Sequence, residues 1–370
     1  MKTYAIALSA GDSVGRELIR QVEKIFSALG RTYGLDFELV PIESCGTAAA
    51  RYGTAFREKD RAEAERCQAF LLGNMGDGQK ISEEKKRPIY TLTSIRQIYQ
   101  VAVNIRPIRL RPEYADLSPL KNSITEKNMD LLFVRDLMGG MINGRRSTGI
   151  GPCGKEASDL EYYNEEIISR IAEFAFREAE KRRGCVTSID KANVLASGKL
   201  WRSKVTEVAD RFPNLHLEHD YGDHMAMRLL TEPGSFDVIL CGNVYGDILS
   251  DEASQISGAP WMFGSAELAW DGRGLYTPNQ IRHPRGEELA GKGLVSPYGI
   301  INAVSLLLRY SLGREDLAEA VDRAVSGAVA EKLFTGEAVP QGGIQLSCDE
   351  LGDEIATSIR IIEEKNGELE

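Results

Sequence analysis

The feature that most constrains this chain is a repeated alternation of short apolar runs with longer amphipathic stretches. YAIAL, from Tyr4, leads through a glycine turn into GDSVGRELIRQVEKIFSALG, where Val14, Leu18, Ile19, Val22, Ile25 and Phe26 share one helical face. DFELVPI, REKDRAEAERCQ and AFLLGN repeat the pattern. So do DLLFVRD, EEIISRIAEFAFREAEKRRG, CVTSID, SGKLWRSKVTEVADRF, LHLEHDY, HMAMRLLTEP and FDVILCGN. SPYGIINAVSLLLRYSLG and EDLAEAVDRAVSGAVAE then predict a helical last third. Parallel strands need crossovers of about a dozen residues or more, usually helices. The chain therefore predicts an α/β fold on a mostly parallel core sheet.

At 370 residues the chain predicts two domains, and with no repeat or low-complexity linker it should cross between them more than once. A net charge of -10 excludes sequence-independent nucleic-acid binding, which needs a basic surface to displace phosphate counterions. A local arginine cluster can still hold an anion against that global field. No apolar run approaches the roughly 18 residues of a membrane span. MKTYAIALSA loosely mimics a secretory leader, but the apolar run from Tyr4 to Ala10 is short and a glycine turn follows at once, so a first strand is expected. The six cysteines are scattered without a CxxC pair, which fits reduced thiols and a cytoplasmic location.

GIGPCG, Gly149 to Gly154, matches G-x-G-x-x-G literally. A dinucleotide fingerprint follows a strand and opens a helix. This one follows polar NGRRST, contains Pro152 and leads into KEASDLEYYNEE, so it is read as a decoy. With Lys155 it also imitates a phosphate loop, but Glu156 stands where the Ser or Thr belongs.

Chemistry is concentrated elsewhere. Asp247 and Asp251, in GNVYGDILSD after an apolar run, share a helix face if that segment is helical. Paired carboxylates there suit a hard divalent cation, or else a solvated helix face. Asp223 follows LHLEHDY in an equivalent strand-end position. Arg96, Arg106 and Arg135 lie in TSIRQIY, VNIRPI and LLFVRDL. Half-buried arginines need anionic partners, either a polycarboxylate ligand or structural ion pairs. Lys191, beside Asp190 after CVTSID, is a general base or a salt-bridged lysine.

VTSIDKANVLASGKLWRSKVTEVADRFPNLHLEHDYGDHMAMRLL, with FDVILCGNVYGDILSDEAS, resembles the β-decarboxylating dehydrogenases. That family includes the isopropylmalate, isocitrate, homoisocitrate and tartrate dehydrogenases. GDSVGREL, SIRQIYQVAVNIRPIRL, DLLFVRDLMGGMING and AGKGLVSPYGIINAVSLLLRYSLG extend the resemblance over about residues 4 to 330. It implies the two-domain isopropylmalate/isocitrate dehydrogenase-like fold, not a Rossmann fold. Residues 1–101 plus 258–370 would form a cofactor-binding domain, and 102–257 a substrate, metal and dimerisation domain.

It further implies that Arg96, Arg106 and Arg135 hold the carboxylates of a malate-type 2-hydroxy di- or tri-acid, beside Tyr90, Leu92 and Thr93. Asp247, Asp251 and Asp223 of the partner subunit would hold Mg²⁺ or Mn²⁺. Lys191, also from the partner, would take the hydroxyl proton, so a homodimer with shared sites is expected. Val14, Asn243, His283, Arg285, Glu288 and Ser296 would contact the nicotinamide cofactor. Glu288 favours NAD, while Arg282 and Arg285 nearby would suit NADP.

Departures from the family pattern shape the expectation. Ile142 stands where the family has the tyrosine that protonates the enol. The reaction is then oxidation with decarboxylation served by another acid or water, or oxidation that stops short of it. A non-catalytic regulatory homologue is the remaining alternative. Ser13 and Arg16 replace a glycine and a proline, and Ser13 would narrow the nicotinamide end of the cleft. Tyr90, Leu92 and Thr93 match neither the isopropylmalate nor the isocitrate set, which implies a mixed polar and apolar pocket.

Overall fold

The computed structural model describes residues 3–78, 81–279 and 285–367. Two compact units form, Met1–Val101 with Ala259–Glu370, and Ala102–Gly258. The strands are β1 (Tyr4–Gly11), β2 (Phe37–Pro41) and β3 (Ala69–Asn74), then β4 (Val101–Leu110) and β5 (Met129–Asp136). A hairpin follows, β6 (Arg146–Gly151) and β7 (Gly154–Asp159). After it come β8 (Cys185–Asp190), β9 (His216–Tyr221), β10 (Val238–Cys241), β11 (Gly264–Ala269) and β12 (Gly274–Pro278).

In the first unit the strand order is β2-β1-β3-β12-β11, parallel except for the β11–β12 pair. Every residue of AFLLGN in β3 is buried, as expected of a parallel strand covered on both faces. The helix Gly15–Tyr33 ends in a left-handed Gly34 (φ 64°) whose N–H closes on the Gly30 carbonyl. It packs against Cys348–Gly367.

In the second unit the order is β4-β5-β10-β8-β9. Strands β5, β10, β8 and β9 are parallel, and β4 runs antiparallel to β5. The chain moves outward from β8 to β9, then returns over β8 to insert β10. The winding direction therefore reverses between β8 and β10. In open α/β sheets such a reversal opens a crevice at the carboxyl ends of the strands, where ligands bind. The helix Glu165–Glu180 starts at Asn164, whose side chain accepts the Ile167 N–H at 2.9 Å.

The GIGPCG stretch spans the exposed β6–β7 hairpin and opens no helix. The periodic reading did not single out β11 and β12, because a short antiparallel pair lacks the strand–helix alternation. Among the described residues no helix is long and apolar enough to cross a membrane.

Candidate active site

Strand ends of the second unit deliver most of the chemistry. Arg135 is the penultimate residue of β5 and only 6% exposed. Its Nε and Nη2 donate to Asn243 Oδ1 at 3.2 and 2.9 Å, and its Nη1 to Asp247. Asn243 and Asp247 both lie on the helix Asn243–Ile256, which follows β10. Gly246 makes this approach feasible, since a Cβ there would come within 2.5 Å of Arg135 Cγ. Arg106, from β4, reaches the next turn of the same helix. Its Nη1 donates to Ser250 Oγ at 2.8 Å and to Asp251 Oδ1 at 2.9 Å, and its Nη2 lies 3.8 Å from Asp247 Oδ1.

Asp247 and Asp251 do share a helix face, and two guanidinium groups offset their mutual repulsion. Arg106 Nε is a buried donor without an acceptor among the described residues. Leaving a buried donor unmet costs about 1–3 kcal/mol, so the cluster is charge-balanced yet short of one acceptor.

A second cluster joins Lys191 and Asp223. Lys191 Nζ lies 2.5 Å from Asp223 Oδ1, and this hydrogen bond holds the Asp223 carboxyl below its ordinary range. Asp190, the sequence neighbour of Lys191, is not its partner. It is 2% exposed and accepts Arg202 Nε and Nη2 at 2.7 and 3.0 Å, with the Ala192 N–H at 2.9 Å. The acid facing Lys191 comes instead from the start of the helix after β9.

Lys191 lines a small open recess with Glu161, Tyr163, Trp201, Gly242 and Tyr245. It opens at the ends of β8 and β10, where the winding reverses. Burial raises the Glu161 carboxyl and the Tyr245 phenol.

The donor set at Asp247 and Asp251 is all oxygen, and their side chains are 51% and 38% exposed, which fits a hard divalent cation. Among the described residues no group of three or more His, Cys, Asp or Glu is placed to hold a metal. Within one chain the three aspartates fall into two clusters, Asp247 with Asp251 and Asp223 with Lys191.

The turn after β5 carries the departure at Ile142, a 36% exposed apolar side chain with no proton to give. Asp136 anchors that turn by accepting the Met138 and Gly139 N–H groups at 3.0 and 2.7 Å. The Tyr163 hydroxyl bonds Asp136 and accepts the Asn243 N–H at 2.8 Å. Burial pushes the Asp136 carboxyl up to about 6.

A raised acid favours the protonated form in the fold. Its contribution to stability therefore grows as pH falls through about 6 toward the unfolded value near 4, and is lost as pH rises. In urea unfolding, the stability difference between wild type and Asp136→Asn is expected to move in favour of wild type by about 2 kcal/mol from pH 7.5 to 4.5. A difference that stays constant with pH would remove the buried charge at Asp136 from the account.

In the first unit Arg96 lies on the helix Ile89–Tyr99 and is bound side-on by Glu267 of β11, at 2.7 and 2.5 Å. Thr93 is exposed and Tyr90 half-buried, but Leu92 is only 7% exposed and faces the core. On this helix Ile89 and Gln97 share the exposed stripe with Thr93.

The residues expected at a cofactor divide. Arg285 donates to the Glu337 carbonyl at 2.7 Å, and the Ser296 N–H donates to Glu337 Oε2 at 3.0 Å. Glu288 is exposed and Val14 fully buried. Asn243 is spent on Arg135 and on the Gly139 carbonyl, to which its Nδ2 donates at 3.1 Å. His283 and Arg282 lie outside the described residues.

Residues 5–355 match the family model described as isocitrate/isopropylmalate dehydrogenase. The chain belongs to this family. It is 39% identical over 367 residues to the 3-isopropylmalate dehydrogenase of Pectobacterium atrosepticum, covering 96% of this chain and 98% of that one. The chloroplastic 3-isopropylmalate dehydrogenase 1 of Arabidopsis thaliana is 37% identical, with 97% and 87% covered. A β-decarboxylating dehydrogenase of Thermococcus kodakarensis superposes with a TM-score of 0.76 at 26% identity, over 97% of each chain. The isocitrate dehydrogenase of Methylococcus capsulatus shares the fold, with a TM-score of 0.79 at 21% identity over 96% and 99%.

As a member of the isocitrate/isopropylmalate dehydrogenase family, the protein is an oxidoreductase of a group that works with a nicotinamide cofactor and a divalent metal. Glu267 escaped the sequence reading, yet a signal existed. A lone acid inside the apolar strand GSAELA calls for a cationic partner just as Arg135 calls for an anionic one. Glu161 and Tyr245 had no comparable signal, because only the tertiary fold brings them to Lys191.

Proposed function

We propose that the protein oxidises and decarboxylates a malate-type 2-hydroxy acid with NAD⁺ and Mg²⁺ or Mn²⁺, as a homodimer with shared sites. The observation that carries this reading is the charge-balanced cluster that Arg106 and Arg135 form with Asp247 and Asp251 of one helix face. Asp247 and Asp251, with Asp223 of the partner subunit, would hold the metal, which when bound stabilises negative charge developing on substrate oxygens. Arg106 and Arg135, which now donate to those carboxylates, would bind the substrate carboxylates, and one of these would give Arg106 Nε the acceptor it lacks. Lys191 of the partner subunit takes the C2 hydroxyl proton as hydride leaves for the nicotinamide ring.

Exposed Val194, Met227, Leu230 and Ile248 give the second unit an apolar surface suited to a second copy of this chain. NAD over NADP is favoured by the exposed Glu288 carboxylate, which repels a 2′-phosphate, and by the tie of Arg285 to the Glu337 carbonyl.

The test is a panel of substituted malates with Mn²⁺ and each nicotinamide cofactor, measuring CO₂ released per cofactor reduced. A ratio near one is expected. A ratio near zero would select oxidation without decarboxylation, as Ile142 would suggest. No reduction of either cofactor would overturn the proposal.

A further inference from the structure

Tyr163, between β7 and the helix Glu165–Glu180, is buried and joins three segments through one hydroxyl. That hydroxyl donates to the Asp136 carboxylate at the end of β5. It accepts the N–H of Asn243 at 2.8 Å, where the helix Asn243–Ile256 begins. Two glycines leave room for it: a Cβ at Gly139 would come within 2.5 Å of the ring, and one at Gly242 within 2.8 Å of the hydroxyl oxygen. The ring is held separately, edge-on to Trp201 with centroids 5.2 Å apart. The aromatic packing therefore does not depend on the hydroxyl, which is what ties the segments together.

Asn243 passes this fixation on. Its Oδ1 accepts both Arg135 Nε and Nη2, at 3.2 and 2.9 Å, and its Nδ2 donates to the Gly139 carbonyl at 3.1 Å. One edge of the Arg135 guanidinium is thereby fixed, and Nη1 is left to face Asp247. The donors of a guanidinium form a rigid planar fork, so fixing one edge sets the direction of the others. Asp136, the far end of the chain of bonds, is fully buried and also accepts the Met138 and Gly139 N–H groups.

We propose that Tyr163 is a positioning residue for substrate binding. Through Asn243 it sets the plane of the Arg135 guanidinium, and with it the direction in which Nη1 meets a substrate carboxylate. This rests on the reading that Arg135 binds that carboxylate. Asp136, Tyr163, Asn243 and Arg135 all belong to the unit Ala102–Gly258, so the arrangement is complete within it.

The experiment measures kcat and KM with Mn²⁺ and NAD⁺ on 3-isopropylmalate, replaced by any malate of the panel above that is oxidised faster. Tyr163→Phe removes one hydroxyl and keeps the ring against Trp201. KM for the malate is expected to rise about tenfold or more, with kcat and the KM for NAD⁺ within about threefold of wild type. Asn243→Ala removes the clamp on Arg135 and should give the same split. The double variant should exceed the larger single effect by no more than about threefold, because both changes act through one guanidinium. Arg135→Lys, which loses the planar fork, reports on the Arg135 reading by itself and should also raise KM about tenfold or more.

Should Tyr163→Phe fail to fold, its combination with Asp136→Asn removes the buried carboxylate left without its donor, and should show the same split. A purely structural hydroxyl would move kcat and both KM values together, or its effect would multiply with that of Asn243→Ala. Either result, or an unchanged KM in folded Tyr163→Phe, overturns the inference, and with KM raised in Arg135→Lys it leaves the dehydrogenase reading intact. An unchanged KM in Arg135→Lys overturns the carboxylate role of Arg135 and the inference with it. Failure of the wild-type protein to oxidise any malate overturns both the inference and the dehydrogenase reading.

Discussion

Replacing Lys191 with methionine is expected to lower kcat by about two to four orders of magnitude while KM changes little. Methionine keeps the length and packing of the side chain and removes the amine that, in the proposed reading, takes the C2 hydroxyl proton. The cost to folding should be small, because Asp223, which loses its partner, is 70% exposed. The same change frees the Asp223 carboxyl from the hydrogen bond that holds it low, so its titration by NMR should move back toward the ordinary aspartate range. Turnover at the wild-type rate would remove Lys191 from the base role and would leave the Lys191–Asp223 pair as a structural contact.

The second large effect is expected at Ile248. This residue is 61% exposed on the helix that carries Asp247 and Asp251, and Met227 on the helix Gly222–Thr231 is 65% exposed. Ile248→Asp would place an unpaired charge in the proposed contact between two copies, where its desolvation opposes association. Light scattering should show the molar mass halved. Activity should fall about a hundredfold or more, because in the proposed reading Lys191 and Asp223 serve the partner's site. Mixing Lys191→Met subunits with Asp251→Asn subunits gives the complementary result. In a randomly exchanged mixture half of the dimers are mixed, and each has one intact site, so about a quarter of wild-type activity should return. No recovery on exchange, or a fully active Ile248→Asp monomer, would confine the site to one chain.

The two clusters show why part of the site was legible beforehand. Asp247 and Asp251 are four residues apart in a segment that follows an apolar strand, so their common face is a local property of helix geometry. Lys191 and Asp223 each follow a strand directly, and the carboxyl ends of parallel strands lie along one edge of a sheet. Pairing is a different matter. Lys191 has an aspartate as its immediate neighbour, yet Asp190 turns inward to Arg202 and Asp223 arrives from the start of the helix after β9. The side-chain direction at a strand end decides this, and no spacing rule encodes it. Leu92 is a similar case. Its neighbours Thr91 and Ser94 are buried with it, so hydrophobicity alone did not say which stripe of the helix is outward.

What the sequence determined by itself is what local periodicity can carry: an α/β chain, its parallel strands, the strand-end positions of its charged residues and its family. The -10 net charge said little about the substrate, because an anion responds to the nearest guanidinium groups and not to the distant sum. Only the tertiary structure decided which acid answers which base. Arg135 and Arg106 were matched to Asp247 and Asp251, Lys191 to Asp223, and Arg96 to Glu267 at a separation of 171 residues. These choices arise where strands distant in sequence are packed side by side, and there burial makes every unmatched charge costly.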